Sequence, residues 1–152
     1  MLNRLQDVFK SFQQHEVKYV VIGGVALVLY GVPRATFDLD ILIEATTENA
    51  LRLLAALAEA GFGTADITNA QDVVAHEITI FNDRTRIDVQ TRTPGVSFQD
   101  AWSRRGTMTY HGQDFFILSR EDLISTKRAC GRKVDLEDVR LLELPAQDEN
   151  TS

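Results

Sequence analysis

The hydrophobic positions change period several times along the chain, and each change marks an element. Leu2, Leu5, Val8, Phe9 and Phe12 recur at helical spacing, which predicts an amphipathic helix over residues 2–14. Residues 17–22 form a short, nearly unbroken β-branched and aromatic run, the pattern of a strand buried on both faces. Gly23-Gly24 ends that strand, residues 25–30 read as a short helix, and Gly31 and Pro33 break it. From 37 to 44 the pattern alternates. Leu39, Ile41 and Ile43 fall on one strand face and Asp38, Asp40 and Leu42 on the other. Thr47 is placed to cap a helix over 48–60 whose core stripe would be Leu51, Leu54, Leu57 and Ala58, with Gly61 as its stop.

Residues 62–75 carry little periodicity and are expected to hold a weak strand followed by a turn. Residues 76–81 and 85–91 read as two strands of a hairpin joined at Asn82-Asp83-Arg84. Ile87 and Val89 face one way in the second of these, Asp88 and Gln90 the other. After a Pro94-Gly95 turn, a short helix is expected over 98–104 and a strand pair over 107–111 and 114–118. Ser119 can cap a helix over 120–130, and a last helix covers 134–144. This order gives an α/β (α+β) fold, a mixed β-sheet flanked by helices. It is expected to form one domain over residues 1–144, with 119–144 as its C-terminal helical part and 145–152 as a disordered tail. No internal repeat and no long linker divides it.

Composition narrows the class without naming a function. The 152 residues are 44% hydrophobic and 25% charged, as in ordinary soluble domains. No apolar run approaches the ~20 residues that cross a bilayer, so no membrane partner is expected. The polar N-terminus lacks a secretory block. Cys130 is the only cysteine, which precludes an intramolecular disulfide and makes the cytoplasm the expected location. The net charge of −6 argues against broad phosphate-backbone binding. A basic cluster of Arg120, Lys127, Arg128, Arg132, Lys133 and Arg140 reads either as a solvated helix face or as a local groove.

The acidic residues carry more information. Asp38 and Asp40, two apart on a strand, project from one face. Close carboxylates repel, and a divalent cation relieves that repulsion; Mg²⁺ is commonly shared between one or two carboxylates, water and substrate phosphates. Taken alone, Asp-Leu-Asp reads sooner as the solvated face of an edge strand than as a cation site. Two features favour the cation. Gly23-Gly24 lies between a strand and a short helix, where backbone N–H groups can approach phosphate. Asp88 interrupts a hydrophobic strand that can lie beside Asp38 and Asp40, and a third carboxylate there could hold metal or accept a proton from a hydroxyl. It could also pair with Arg86 or Arg92. His15, His76 and His111 show no zinc-ligand spacing, Cys130 reads as packing, and Trp102 and Tyr110 read as core or edge aromatics.

Val20-Val21-Ile22-Gly23-Gly24, Asp38-Leu39-Asp40 and Ile87-Asp88-Val89 together resemble the DNA polymerase beta-type nucleotidyltransferase superfamily. The stretch Arg34-Ala35-Thr36-Phe37-Asp38-Leu39-Asp40 and the segment from Lys127 to Asp135 resemble small bacterial abortive-infection-type nucleotidyltransferase toxins. The resemblance covers roughly residues 17–140. It implies a nucleotidyltransferase-like fold and an enzyme that uses an NTP as substrate and Mg²⁺, in two ions, as cofactor. Asp38, Asp40 and Asp88 would be its metal-binding and catalytic residues, and Gly23, Gly24, Arg34, Thr36 and Lys127 its nucleotide-phosphate contacts. A nucleoside monophosphate would pass to a hydroxyl of RNA (a tRNA end included), protein or a small molecule, with pyrophosphate released. A toxin–antitoxin setting, with an antitoxin protein as partner, is a further implication. Many members carry serine after the first glycine. Gly24 lacks that hydroxyl, leaving phosphate to backbone N–H groups or to Arg34 and Lys127. Arg34 could instead pair with Asp38 or another acid, Lys127 could be a surface lysine, and Asp135 is expected to cap the last helix or pair with a base. The alternative function is an inactive nucleotidyltransferase-like module that binds nucleotide or protein.

Overall fold

Three antiparallel and two parallel strand pairings build the sheet on which the rest of the chain rests. In the computed structural model, which describes residues 2–35 and 38–144, the order of elements is α1 (Leu2–Gln14), β1 (Tyr19–Ile22), α2 (Gly23–Leu29), β2 (Asp38–Ile43), α3 (Thr47–Glu59), a 3₁₀ turn (Gly63–Ile67), α4 (Ala70–Ala75), β3 (Ile78–Asn82), β4 (Arg86–Gln90), α5 (Phe98–Ser103), β5 (Gly106–Tyr110), β6 (Gln113–Ile117), α6 (Arg120–Cys130) and α7 (Lys133–Glu143). Thr36 and the tail expected from residue 145 lie outside the described residues. The six strands form one mixed sheet in the order β3-β4-β2-β1-β6-β5.

The alternation read from the sequence sorts the sheet into two faces. Tyr19, Val21, Leu39, Ile41, Ile43, Ile87 and Val89 are buried and lie on one of them by register and alternation. Phe9 of α1 stacks against Tyr19 and Phe115 there, and Phe12 meets Tyr19 at a tilt. The opposite face carries Val20, Ile22, Asp38, Asp40, Leu42, Arg86, Asp88 and Gln90. Val20 and Leu42 are buried, whereas Asp38, Asp40, Arg86, Asp88 and Gln90 are not. The two runs of polar side chains therefore share one open part of this sheet face. On the neighbouring edge strand β3, Ile78 and Ile80 pair with Gln90 and Asp88 and are exposed.

Two expectations change for an identifiable reason. The cap of α3 is Thr46, whose hydroxyl accepts from the Asn49 N–H, rather than Thr47. The buried stripe is Asn49, Ala50, Leu53, Ala56 and Leu57, while Leu51 and Ala58 are exposed. Asn49 sets this rotation. Its side chain accepts from Lys18 N (2.8 Å) and donates to Lys18 O and Glu44 O (3.0 Å each), which staples α3 to the segments flanking β1 and β2. A polar anchor of this kind is invisible to a hydrophobic stripe. Residues 62–75 form no strand. Asn69 captures the Asp72 N–H at 2.9 Å and starts α4, with Ala70 and Val73 packed inward.

The last two helices meet as a pair. Ser119 caps α6 as expected, accepting from Asp122 N at 3.1 Å. Gly131 ends α6 in the left-handed region (φ 69°), a position that favours glycine. Asp135 accepts from the backbone N–H and the guanidinium of Arg132 at the start of α7. Cys130 is exposed rather than packed. Most of the basic cluster is committed internally: Arg120 to Leu142 O, Arg128 to Glu143, Arg132 to Asp135, Arg140 to Glu137, and Lys127 to Asp135 and Asp138. It is no open basic groove. Trp102 packs between Phe98 and Phe116 with Arg105 over its ring, an edge role. No helix among the described residues is long and apolar enough to cross a membrane.

Candidate active site

Strands β2 and β4 run parallel, and their register sets Asp38 opposite Arg86 and Asp40 opposite Asp88. All four side chains point to the same face because paired residues share a side and alternate residues repeat it. The intervening Leu39, Ile41, Ile87 and Val89 are locked in the core, so a slip by one residue would bury the carboxylates and expose the apolar set. Hydrophobic alternation thus holds an acidic cluster on a rigid surface.

The cluster is electrostatically loaded. Burial, then the charges of Asp88 and Asp38, and then a side-chain hydrogen bond with Asp88 push the Asp40 carboxyl up to about 6. Arg86 opposes that shift. Its guanidinium binds Asp88 through two contacts, Nε to Oδ1 at 2.8 Å and Nη2 to Oδ2 at 3.2 Å. The same Nε lies 3.8 Å from Asp38 Oδ2. Pairing of Asp88 with Arg86 and convergence of the three acids were alternatives in the sequence; the structure contains both.

The Gly23 turn completes the surroundings. Gly23 has φ 68°, and a Cβ at this position would collide with Asp40 Oδ2 and lie 3.0 Å from Asp40 Cβ and Cγ. Absence of a side chain is therefore needed both for the backbone turn and for the approach of the Asp40 carboxylate. Gly24 follows as the second residue of α2, without a left-handed φ. Ile22 precedes the helix and gives no side-chain cap.

The two candidate cations lie in a different constellation. Arg34 Nη2 donates to Asp138 Oδ1 at 2.5 Å. Lys127 Nζ lies 3.6 Å from Asp135 Oδ1 and 3.7 Å from Asp138 Oδ2. Lys127 is largely buried, with 14% of its side chain exposed, and both acids are fully buried. Arg34 thus takes the acid-pairing option, through an acid on α7 rather than Asp38. Lys127 is not a surface lysine. Asp138 is the residue that the sequence reading passed over, and Arg86 entered it only as a pairing partner of Asp88. Arg86 stands two before Asp88 on a strand, and Asp138 three after Asp135 on a helix; both spacings predict a shared face.

The donor set of Asp38, Asp40 and Asp88 suits a hard divalent cation in ligand type and in its shared face. Burial together with the charges of Asp88 and Asp38 raises the Asp40 pKa, so its ionised form would gain from a cation at this face. As placed, no group of three His, Cys, Asp or Glu side chains among the described residues is arranged to hold a metal ion. The cation next to these acids is Arg86. Clefts of about 560 Å³ beside Asp7, Phe62 and Arg84, and of about 610 Å³ beside Tyr19, Arg52 and Trp102, do not include the three aspartates. Neither brings together the chemistry found on β2 and β4.

Comparison with known proteins agrees with this architecture. A candidate nucleotidyltransferase from Thermotoga maritima shares the fold with a TM-score of 0.61 at 18% identity, over 92% of this chain and 90% of that one. An antigenic nucleotidyltransferase-like protein from Paracoccidioides brasiliensis does so with a TM-score of 0.55 at 15% identity, over 91% of this chain and 72% of that one. No curated protein sequence matches. A family profile described as nucleotidyltransferase of unknown function matches residues 2–147, and the chain accordingly belongs to that family, DUF6036.

Proposed function

We propose that the chain transfers a nucleoside monophosphate from an NTP to a hydroxyl acceptor, using the β2–β4 carboxylates. The observation that carries this reading is the register of Asp40 with Asp88, beside Asp38 and against the Gly23 turn. Family membership supports the reaction class. Asp38, Asp40 and Asp88 would hold Mg²⁺, which when bound neutralises phosphate charge and lowers the pKa of a coordinated hydroxyl. Asp88, on the side of the cluster next to edge strand β3, would take a proton from an acceptor entering over that edge once Arg86 releases it. Gly23 and Gly24 let phosphate approach the backbone without side-chain obstruction. Thr36 belongs to the same proposed phosphate-binding segment. Arg34 and Lys127 act from farther back, where Asp138 pairs with both and Asp135 with Lys127.

The acceptor class proposed is RNA, protein or a small molecule, and a toxin–antitoxin setting is one context for such chemistry. Incubation with Mg²⁺, each α-labelled NTP, and cell RNA and protein extracts tests the reading. Label should move to one acceptor class and stop moving in Asp40→Asn and Asp88→Asn. Transfer that survives Asp38→Asn combined with Asp40→Asn would sink the site assignment.

A second reading rests on Arg86. A guanidinium bound to Asp88 and near Asp38 already supplies a cation, as a non-catalytic nucleotide- or protein-binding module would need. It predicts nucleotide binding without label transfer for every NTP tested.

A further inference from the structure

Arg86 meets its neighbours in a way that fits an exchangeable ligand better than a structural brace. It is 41% exposed, on the open part of the sheet face, and it reaches acids on two different strands. Its two hydrogen bonds go to Asp88, the least exposed of the ion-paired acids there at 16%, while Asp38 at 3.8 Å is a looser contact. Three carboxylates and one guanidinium leave the cluster with excess negative charge when all are ionised. The guanidinium is thus bound firmly enough to be ordered but does not neutralise the site. A planar guanidinium also binds phosphate oxygens through the same paired N–H groups that it offers Asp88. Structural braces in this protein differ in their acids rather than their arginines: the side chains of Asp122, Asp135 and Asp138 are 7%, 1% and 1% exposed, against 16% for Asp88 and 46% for Asp38, while Arg104 and Arg132 are more exposed than Arg86.

We infer that Arg86 is an internal counter-ion that competes with divalent cations for Asp88 and Asp38, and that passes to the phosphates of an incoming nucleotide. The inference rests on the nucleotidyltransferase reading above and assigns a residue that the acidic motif does not contain. In the nucleotide-free protein, the guanidinium screens the carboxylates and weakens cation binding. A triphosphate, with more negative charge than the carboxylate it replaces, draws the guanidinium away. Cation and nucleotide then bind cooperatively, because the group that obstructs one becomes a contact for the other. No bond is made or broken in this exchange.

The test uses the whole chain and two binding measurements made apart from activity. Mn²⁺ binding is followed by electron paramagnetic resonance without nucleotide, and ATP binding by calorimetry in EDTA, for wild type, Arg86→Gln and Arg86→Lys. Folding is checked by circular dichroism. Arg86→Gln should bind Mn²⁺ on the order of tenfold more tightly and ATP on the order of tenfold more weakly than wild type. Arg86→Lys, which keeps the charge without the fork, should bind Mn²⁺ close to wild type and serves if the glutamine variant does not fold; Mn²⁺ binding by the lysine variant that is also tenfold tighter overturns the charge argument. A brace would weaken both ligands together, and that result overturns the inference. Equal Mn²⁺ affinity in wild type and Arg86→Gln overturns it while leaving the metal site standing. Absence of Mn²⁺ binding in every variant overturns both the inference and the proposed function.

Discussion

Asp40 stands directly opposite Asp88 across the parallel β2–β4 pair, where burial and the neighbouring charge both disfavour its ionised form. Two carboxyls in this relation cannot both ionise at low cost. The Asp40 value of about 6 against an ordinary 3.8 means that its ionised form opposes folding. The penalty is absent below about pH 4, grows as the pH rises through 6, and is complete above that. Without divalent cations, Asp40→Asn should therefore be more stable than wild type at pH 7, by roughly 1 kcal/mol once solvent screening is allowed for. The two should converge near pH 4. Thermal melts across this range check it, and a variant that melts lower at pH 7 contradicts it.

The two glycines of the turn should behave differently. Gly23→Ala puts a Cβ into the Asp40 carboxylate and forces a left-handed residue. It should cost about 1–3 kcal/mol in urea unfolding and displace Asp40. Gly24→Ala, inside α2 with no left-handed φ, should be neutral or stabilising by up to ~1 kcal/mol. Equal losses at both positions would remove the distinction.

Asp138 gathers Arg34 and Lys127 at the α6–α7 seam. Asp138→Ala leaves Lys127 with Asp135 alone and Arg34 without this acid, in a region where both acids are fully buried. A loss of about 3–5 kcal/mol is expected from breaking such a cluster. Arg34→Gln should cost far less, because Lys127 still faces Asp138. The acid limb adds a check. Hydrogen bonding to Arg132 lowers the Asp135 pKa, so its contribution is present above the unfolded value of 3.8 and lost as the pH falls through the lower folded one.

Asn49→Leu is hydrophobic and similar in size, yet it should destabilise by about 2–4 kcal/mol. It removes three hydrogen bonds and takes the side-chain partner from Lys18 N–H and Glu44 O, while Lys18 O keeps only the longer bond from Glu44 N–H. Chemical denaturation of the variant measures this. A change under 1 kcal/mol would show that α3 docks without its staple.

Much of the sheet was legible because period-two alternation is a local signal. Leu39 against Asp40 and Ile87 against Asp88 state which side each residue takes, and the structure keeps those sides. Which strands lie side by side is a non-local fact, and so is the meeting of Asp40 with Asp88; the sequence supplied only the possibility. Several features outside the hydrophobic pattern come from polar side chains. Asn49 rotates α3, Asn69 starts α4, and Asp138 captures Arg34 and Lys127. Asn49 and Asp138 bond to groups whose position follows from tertiary structure, and Asn69 makes a local cap; hydrophobic spacing reveals none of them. Arg86 is the instructive exception. Its spacing from Asp88 was readable, but its closeness to Asp38 required the parallel register.

The bond from Arg34 to Asp138 joins residues 104 apart in sequence. The loop leading into Asp38 thus receives this anchor from the last described helix. During synthesis, the sheet carrying the carboxylates can form before that anchor exists, since β6 is complete at Ile117. A nascent chain stopped between residues 117 and 138 would display the acidic face without its fastened entrance. Acquisition of nucleotide binding along a series of stalled chains would then lag behind sheet formation, with the last step falling where α7 docks.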